Sequence, residues 1–139
     1  MSFDLYFVPG TVGLNASSAK TFVERENKLH QRPVDAACEK RKHALSRALV
    51  DSFPNLIEFQ IDFSAISQYE TISESEAREK YNHIELNSDA VQVYICDRMV
   101  TVSFYGSNDP DPEMLSLICN QFDFICYDPQ SDCLVDTDG

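Results

Sequence analysis

Histidines and cysteines are the residues of this sequence best suited to nucleophilic or metal chemistry. The histidines are His30, His43 and His83, and the cysteines are Cys38, Cys96, Cys119, Cys126 and Cys133. Nucleophilic catalysis requires a cysteine or serine beside a histidine, but Cys38 and His43 are five residues apart on one predicted helix and diverge. The odd cysteine count without a CxxC pair predicts buried free thiols, with Cys133 in the polar tail as the exception, and neither a disulfide framework nor a zinc site.

Carboxylates are the other candidate reactive groups, and they cluster near the C-terminus. The two clusters are Asp109, Asp111 and Glu113, and Asp128, Asp132, Asp136 and Asp138. Neither cluster has the spacing of a calcium loop, and the sequence contains no HExxH or glycine-rich phosphate motif. We therefore predict no catalytic residue, no metal site, no cofactor and no enzymatic activity. A small carboxylate- or metal-dependent hydrolase using the acids between Asp109 and Asp138 remains an alternative.

The net charge is strongly negative and unevenly distributed along the chain. The 139 residues carry a charge of −12, which divides into +3 over residues 1–50 and −15 over residues 51–139. Such an excess repels phosphate backbones and anionic membranes and attracts basic proteins. We predict a basic protein partner, and neither nucleic acid nor a membrane. No apolar run is long enough to span a bilayer, so we expect a cytoplasmic protein.

Residues 90–105 predict a complete β-hairpin around which the rest of the chain is organised. A two-residue loop at Asp97-Arg98 fixes the register of the two strands. The apolar pairs are then Ile95 with Val100, Val93 with Val102 and Val91 with Phe104, and the polar pairs are Tyr94 with Thr101 and Gln92 with Ser103. The hairpin therefore has one apolar and one polar face.

Periodicity and capping residues predict the remaining elements. Alternation predicts strands over residues 3–8, 56–65, 83–87 and 124–127. Helices are predicted over residues 18–31, from residue 33 or 34 to 53, over 74–80, and after Asp111 as N-cap with Pro112 first in the helix. The Lys40-Arg41-Lys42 run is predicted to lie on a solvated helix face. If the strand over residues 124–127 runs parallel to the one ending at Tyr105, a β-α-β crossover joins them.

These elements predict a single α+β domain over residues 1–139. The expected sheet has five to six strands and is mainly antiparallel. Two N-terminal helices and one C-terminal helix are expected to pack on one face of it. Residues 130–139 are predicted to form an acidic tail.

Three short stretches resemble a family of small bacterial proteins that open with S-[FY]-D-L-Y and close with YDPQ. The stretches are Ser2-Phe3-Asp4-Leu5-Tyr6-Phe7, then Ile84-Glu85-Leu86 with Val91-Gln92-Val93-Tyr94-Ile95, and finally Tyr127-Asp128-Pro129-Gln130. Many such proteins occur beside polymorphic toxins, in contact-dependent inhibition and type VI secretion systems, and are thought to be their immunity proteins. The resemblance implies a cytoplasmic protein that binds and blocks the C-terminal domain of a cognate toxin.

Carboxylates and tyrosines on the polar sheet face suit such a partner, because acids steer association and aromatic rings supply contact area. The predicted partner-binding residues are Glu58, Asp62, Glu70, Glu85, Tyr94, Tyr105, Asp109 and Asp111. Our main hypothesis is an immunity protein, a monomer or weak homodimer, that neutralises a basic nuclease or nucleotide-targeting toxin. An adaptor or oligomer subunit is a further alternative, and it predicts an apolar patch on the sheet.

Overall fold

Seven antiparallel strands form the sheet of this protein, in a computed structural model that describes residues 2–12, 15–28, 35–105 and 110–135. The spatial order is β2-β3-β4-β5-β1-β6-β7. The strands are β1 Ser2–Pro9, β2 Ile57–Glu58, β3 Ile84–Asn87, β4 Val91–Ile95, β5 Val100–Tyr105, β6 Phe124–Asp128 and β7 Cys133–Val135. The α-helices are α1 Ala16–Asn27, α2 Ala36–Ser52, α3 Phe63–Glu70, α4 Glu74–Lys80 and α5 Pro112–Ser116. The α+β class and the mainly antiparallel sheet are confirmed, whereas the described residues form seven strands and five α-helices in place of the predicted five to six strands and three packed helices.

The β4–β5 hairpin has the predicted register. Val93 lies opposite Val102, and Tyr94 lies opposite Thr101. The N–H of Cys96 donates to the carbonyl of Met99 at 2.9 Å and closes the predicted two-residue loop. Val93 and Val102 are both fully buried, because the apolar face of the hairpin packs against the helices behind it.

Helices pack on both faces of the sheet, so the prediction that all of them pack on one face is wrong. Leu5 and Phe7 of β1 join a core built with α2, α5 and the π-helical turn Leu117–Gln121 that extends α5. Val8 instead joins a second cluster with α1 and Tyr127. Successive strand residues point to opposite faces, so Val8 at the end of β1 adds an apolar surface on the reverse side, which α1 covers.

The predicted strand over residues 56–65 is wrong beyond its first residues. The strand Ile57–Glu58 pairs with β3, and the Phe59 N–H adds one backbone hydrogen bond to the Glu85 carbonyl. The chain turns into α3 after Asp62, whose side chain caps that helix by accepting the Ala65 N–H at 3.0 Å. Ile57 is 71% exposed and Phe59 is 56% exposed. No described strand lies beyond β2, so the apolar face predicted for this segment has no second strand beside it.

Capping residues set the helix ends. Asn15 caps α1 by accepting the Ser18 N–H at 2.9 Å, so α1 begins earlier than predicted, and Asp35 caps α2. The predicted helix over Glu74–Lys80 is confirmed, with Ser73 as its N-cap, and so is the prediction of Asp111 as the N-cap before Pro112. Residues 29–31, the predicted end of the first helix, lie outside the described residues.

The C-terminal part completes the sheet on the far side of β1. The link through α5 joins β5 to β6, which run in the same direction with antiparallel β1 between them. Within the predicted acidic tail, Cys133–Val135 forms β7 and pairs with β6. Residues 136–139 lie outside the described residues. In the part of the chain that the structure describes, no helix combines the length and apolar character that crossing a bilayer requires.

Candidate functional site

One face of strands β3, β4, β5 and β1 carries a continuous set of polar and aromatic side chains, which we call the open face. Its members are Asp4, Glu85, Asn87, Gln92, Tyr94, Thr101, Ser103 and Tyr105, while Tyr6 on the same side packs against the cluster formed with α1. Cross-strand partners share a face, and the register aligns Asn87, Gln92, Ser103 and Asp4 in one row. None of the eight residues is buried, because α1 packs at the β1–β6 end of this side of the sheet and against the tip of the β4–β5 hairpin.

The charge of the open face is negative. It contains the carboxylates Asp4 and Glu85, and the four strands that form it contain no lysine or arginine. Asp89, in the turn between β3 and β4, is exposed beside it. The charged side chains that these four strands present to an approaching protein are therefore acidic.

Hydrogen bonds between neighbouring side chains hold the open face in place. The Gln92 Nε2 donates to the Tyr94 hydroxyl at 3.0 Å, and the Tyr105 hydroxyl donates to the Gln92 Oε1. The Asn87 Nδ2 donates to the Glu85 Oε2 at 2.7 Å. Side chains fixed by such contacts lose less conformational entropy when a partner binds.

His83 borders the open face, and its ring contacts Tyr94 edge-on with 5.2 Å between the ring centroids. Burial lowers the pKa of His83, with the nearby Lys42 adding to the effect and Glu85 opposing it. Burial also raises the pKa of Tyr94, and its hydrogen bond with Glu85 raises that pKa further. At neutral pH both groups are therefore uncharged, and neither adds to the negative charge of Glu85 beside them.

Three of the eight predicted partner-binding residues lie together on the open face. Tyr94 and Glu85 are adjacent there, and Tyr105 is 37% exposed at its edge. Glu58 is exposed too, but its position opposite Leu86 places it on the other side of the sheet. Asp109 lies outside the described residues.

The other predicted residues have structural partners of their own. Asp62 caps α3, and Asp111 caps α5 by accepting the Glu113 N–H at 2.9 Å. Glu70 pairs with Lys80 and accepts a hydrogen bond from the Tyr81 hydroxyl at 2.5 Å. The bond with Lys80 is the main reason that the pKa of Glu70 is lowered. These contacts join α3 to α4 and leave Glu70 less suited to a partner.

A buried ion cluster at the base of the β4–β5 hairpin was not predicted from the sequence. The Lys42 Nζ lies 2.8 Å from the Asp97 Oδ1 and 2.6 Å from the Glu39 Oε1. It also donates to the side-chain and backbone oxygens of Asn82, at 2.6 Å and 2.9 Å. Arg41 adds a hydrogen bond to the Asp97 carbonyl. Lys42 is 2% exposed and Asp97 is 5% exposed, so both charges depend on these contacts.

The prediction that Lys42 lies on a solvated helix face is therefore wrong. Lys42 is three residues before Leu45 and seven before Leu49, both of which are buried in α2. That helical spacing is the sequence signal that places Lys42 on the buried stripe.

A cavity of about 270 Å³ adjoins the ion cluster between α2, residues 58–63 and residues 78–84. Its wall mixes Glu39, Glu58 and His83 with the cations of Lys42 and Arg78. Lys42 already contacts four oxygen atoms, and the Arg78 guanidinium lies 4.6 Å from the centroid of the Phe63 ring. With these side chains engaged, the cavity presents no convergent set of groups for one class of ligand.

Metal and thiol chemistry find little support in the described residues. No group of three or more His, Cys, Asp or Glu side chains among them is arranged to hold a metal ion, while Asp109, Asp136 and Asp138 lie outside the description. The five cysteines are free thiols. Cys119 and Cys126 are buried as expected, and burial raises the pKa of Cys126. Cys133 is exposed on β7.

The open face is thus the best-defined candidate site of the described structure, and it is a surface suited to a protein partner. Comparison of the chain with family models, with curated proteins and with solved structures finds no match.

Proposed function

We propose that this chain is a non-enzymatic immunity protein that binds and neutralises a basic toxin domain through the open face. The observation that carries the proposal is the composition of that face. Two carboxylates and two tyrosines lie among small polar side chains, none of them buried, on strands without lysine or arginine. Aromatic anchors beside acids are typical of surfaces that recognise basic proteins.

The charge of the whole chain supports the same partner. Residues 51–139 carry −15, and Glu85, Tyr94 and Tyr105 all belong to this acidic part. Electrostatic steering raises association rates to about 10⁸ M⁻¹s⁻¹ at low salt, and an inhibitor that protects its own cell needs rapid capture. The resemblance to immunity proteins makes a cytoplasmic toxin domain, of nuclease or nucleotide-targeting activity, the proposed target.

Co-expression with the protein encoded beside this chain in its genome tests the proposal. We expect a soluble one-to-one complex with a dissociation constant in the nanomolar range or below, weakening as salt concentration rises. Failure of the two proteins to associate, in titrations with both purified, would contradict the proposal.

Two charge reversals separate the open face from general electrostatic attraction. Glu85→Lys places a cation on the open face, whereas Asp51→Lys makes the same change in net charge at the exposed end of α2, which packs on the other side of the sheet. We expect Glu85→Lys to weaken binding about tenfold or more, because like charges across an interface are strongly unfavourable. Asp51→Lys is expected to change the affinity about twofold at most. Equal effects would exclude the open face as the docking surface.

A further inference from the structure

The outer edge of β2 has backbone groups that point away from the sheet. The Phe59 N–H donates to the Glu85 carbonyl at 2.8 Å, so Phe59 and Glu85 form a hydrogen-bonded pair. In an antiparallel ladder such pairs alternate with non-hydrogen-bonded ones, and Glu58 opposite Leu86 is one of the latter. The N–H and C=O of Glu58 therefore face outward, where no described strand pairs with them.

The side chains of this edge are unusually apolar for an exposed strand. Ile57 is 71% exposed and Phe59 is 56% exposed, and these are two of the four large hydrophobic residues exposed in the described part of the chain. Soluble proteins usually protect edge strands with charges, prolines or covering elements. Here a groove of about 720 Å³ runs between β2 and the turn after β3 instead.

The edge also adjoins the open face. Ile57 lies opposite Asn87, and Phe59 follows it by two residues, so both project on the side of Glu85 and Asn87. Glu58 projects to the other side. A strand added at this edge would therefore enlarge the open face with a new row of side chains and would pair its own side chains with those of β2.

We propose that the β2 edge accepts an extended segment of the basic partner as an eighth strand of the sheet. The segment alternates apolar and basic residues, with apolar side chains against Ile57 and Phe59 and a lysine or arginine opposite Glu58. Main-chain hydrogen bonds to Glu58 supply affinity, and the alternating side chains supply specificity. The inference rests on the proposed function, because charge complementarity selects the partner.

Charge also argues against a second copy of this chain as the added strand. Pairing of two β2 edges about Glu58 places two carboxylates opposite each other, which destabilises a strand pair. It also brings together two molecules that each carry a charge of −12. A basic segment relieves both repulsions.

The test removes the outward-pointing N–H of Glu58 and keeps the hydrogen bonds between β2 and β3. Glu58→Pro removes the N–H that points away from β3, and proline is tolerated on an edge strand at such a position. Glu58→Gln is the matched control, because it removes the charge and keeps the N–H. The probe is the product of the adjacent gene, titrated against each purified variant after thermal melting shows that the variants fold.

We expect Glu58→Pro to weaken binding about tenfold or more, through the lost hydrogen bond and the clash of the ring with the added strand. Glu58→Gln is expected to weaken binding only about threefold and to reduce its salt dependence. Equal affinities for wild type and Glu58→Pro would overturn strand addition while leaving the proposed function intact. No binding to the wild type would overturn both, and self-association through β2 in sedimentation experiments would assign the edge to a second copy.

Discussion

The β4–β5 hairpin and residues 56–65 have similar sequence patterns and opposite structural outcomes. Both segments alternate apolar and polar residues over their length. In the hairpin, Val93, Val100 and Val102 are fully buried. In the second segment, the strand is two residues long, and Ile57 and Phe59 are mostly exposed.

The difference lies in where each segment finds its partner. Each strand of the hairpin has the other as its partner, since a two-residue loop places Ile95 beside Val100. The helices α2 and α5 then cover the apolar face. Residues 56–65 have β3 on one side and no described strand on the other. Alternation therefore predicts that a segment has one apolar and one polar face. Burial of the apolar face depends on which elements of the rest of the chain pack against it.

The largest expected effect on stability comes from breaking the buried ion cluster, which joins the hairpin loop to α2. Lys42→Met leaves Asp97 buried without its cation, and we expect a loss of about 3–5 kcal/mol in the free energy of unfolding. Urea denaturation provides the measurement. Lys40→Met, an exposed lysine on the same helix, is the matched control and should change stability by about 0.5 kcal/mol at most.

A double variant tests whether the loss of stability comes from leaving Asp97 buried without its cation. Lys42→Met with Asp97→Asn removes both members of the pair, and we expect it to recover part of the stability lost in Lys42→Met alone. If Lys42→Met is no more harmful than Lys40→Met, the ion cluster does not stabilise the hairpin.

The next largest effect on stability compares the buried core of the hairpin with the exposed β2 edge. Val93→Ala creates a cavity in the core and should cost about 2 kcal/mol or more. Ile57→Ala removes a larger side chain from an exposed edge and should cost less than about 0.5 kcal/mol. The same urea titration measures both. A large loss from Ile57→Ala would mean that the β2 edge is covered in solution.

The sequence predicts the elements whose determinants are local. The hairpin register follows from one two-residue loop, and the start of α5 follows from Asp111 followed by proline. The Ser73 cap predicts α4 in the same way. In each example, the residues that decide the structure lie within a few positions of each other.

Prediction from the sequence fails where residues distant in the chain determine the structure. Asp97 and Asn82 fix Lys42 in the interior, yet they lie 55 and 40 positions away in the chain. Likewise, α1 packs on the second face because Val8 and Tyr127, on the neighbouring strands β1 and β6, form an apolar surface there. Of the candidate site, Glu85, Tyr94 and Tyr105 were predicted from alternation alone. Asp62 and Glu70, also predicted as partner-binding acids, lie away from the open face because they belong to α3, a helix that was not predicted.

A smaller effect should appear in the helical connection that follows the shortened strand. Thr71 ends α3 in the left-handed conformation with φ of 58°, which is costly for a β-branched residue and free of strain for glycine. We expect Thr71→Gly to raise the free energy of unfolding by about 0.5–1 kcal/mol. Thr21→Gly, at an exposed position inside α1, should instead lower it by a similar amount. Destabilisation by Thr71→Gly would contradict the assigned conformation.

The smallest effect concerns His83, which immediately precedes β3 and contacts Tyr94 of the hairpin. Burial lowers the pKa of His83 below its usual 6.5, while Glu85 opposes and Lys42 supports the shift. Below about pH 7 the unfolded chain therefore binds more protons at this residue than the folded chain does, and stability falls as pH falls. His83→Phe keeps an aromatic ring beside Tyr94 and removes the titration, so its loss of stability between pH 7.5 and 5.5 should be smaller than that of the wild type. Thermal melting over this range measures the difference, and identical pH profiles would show that His83 titrates equally in both states.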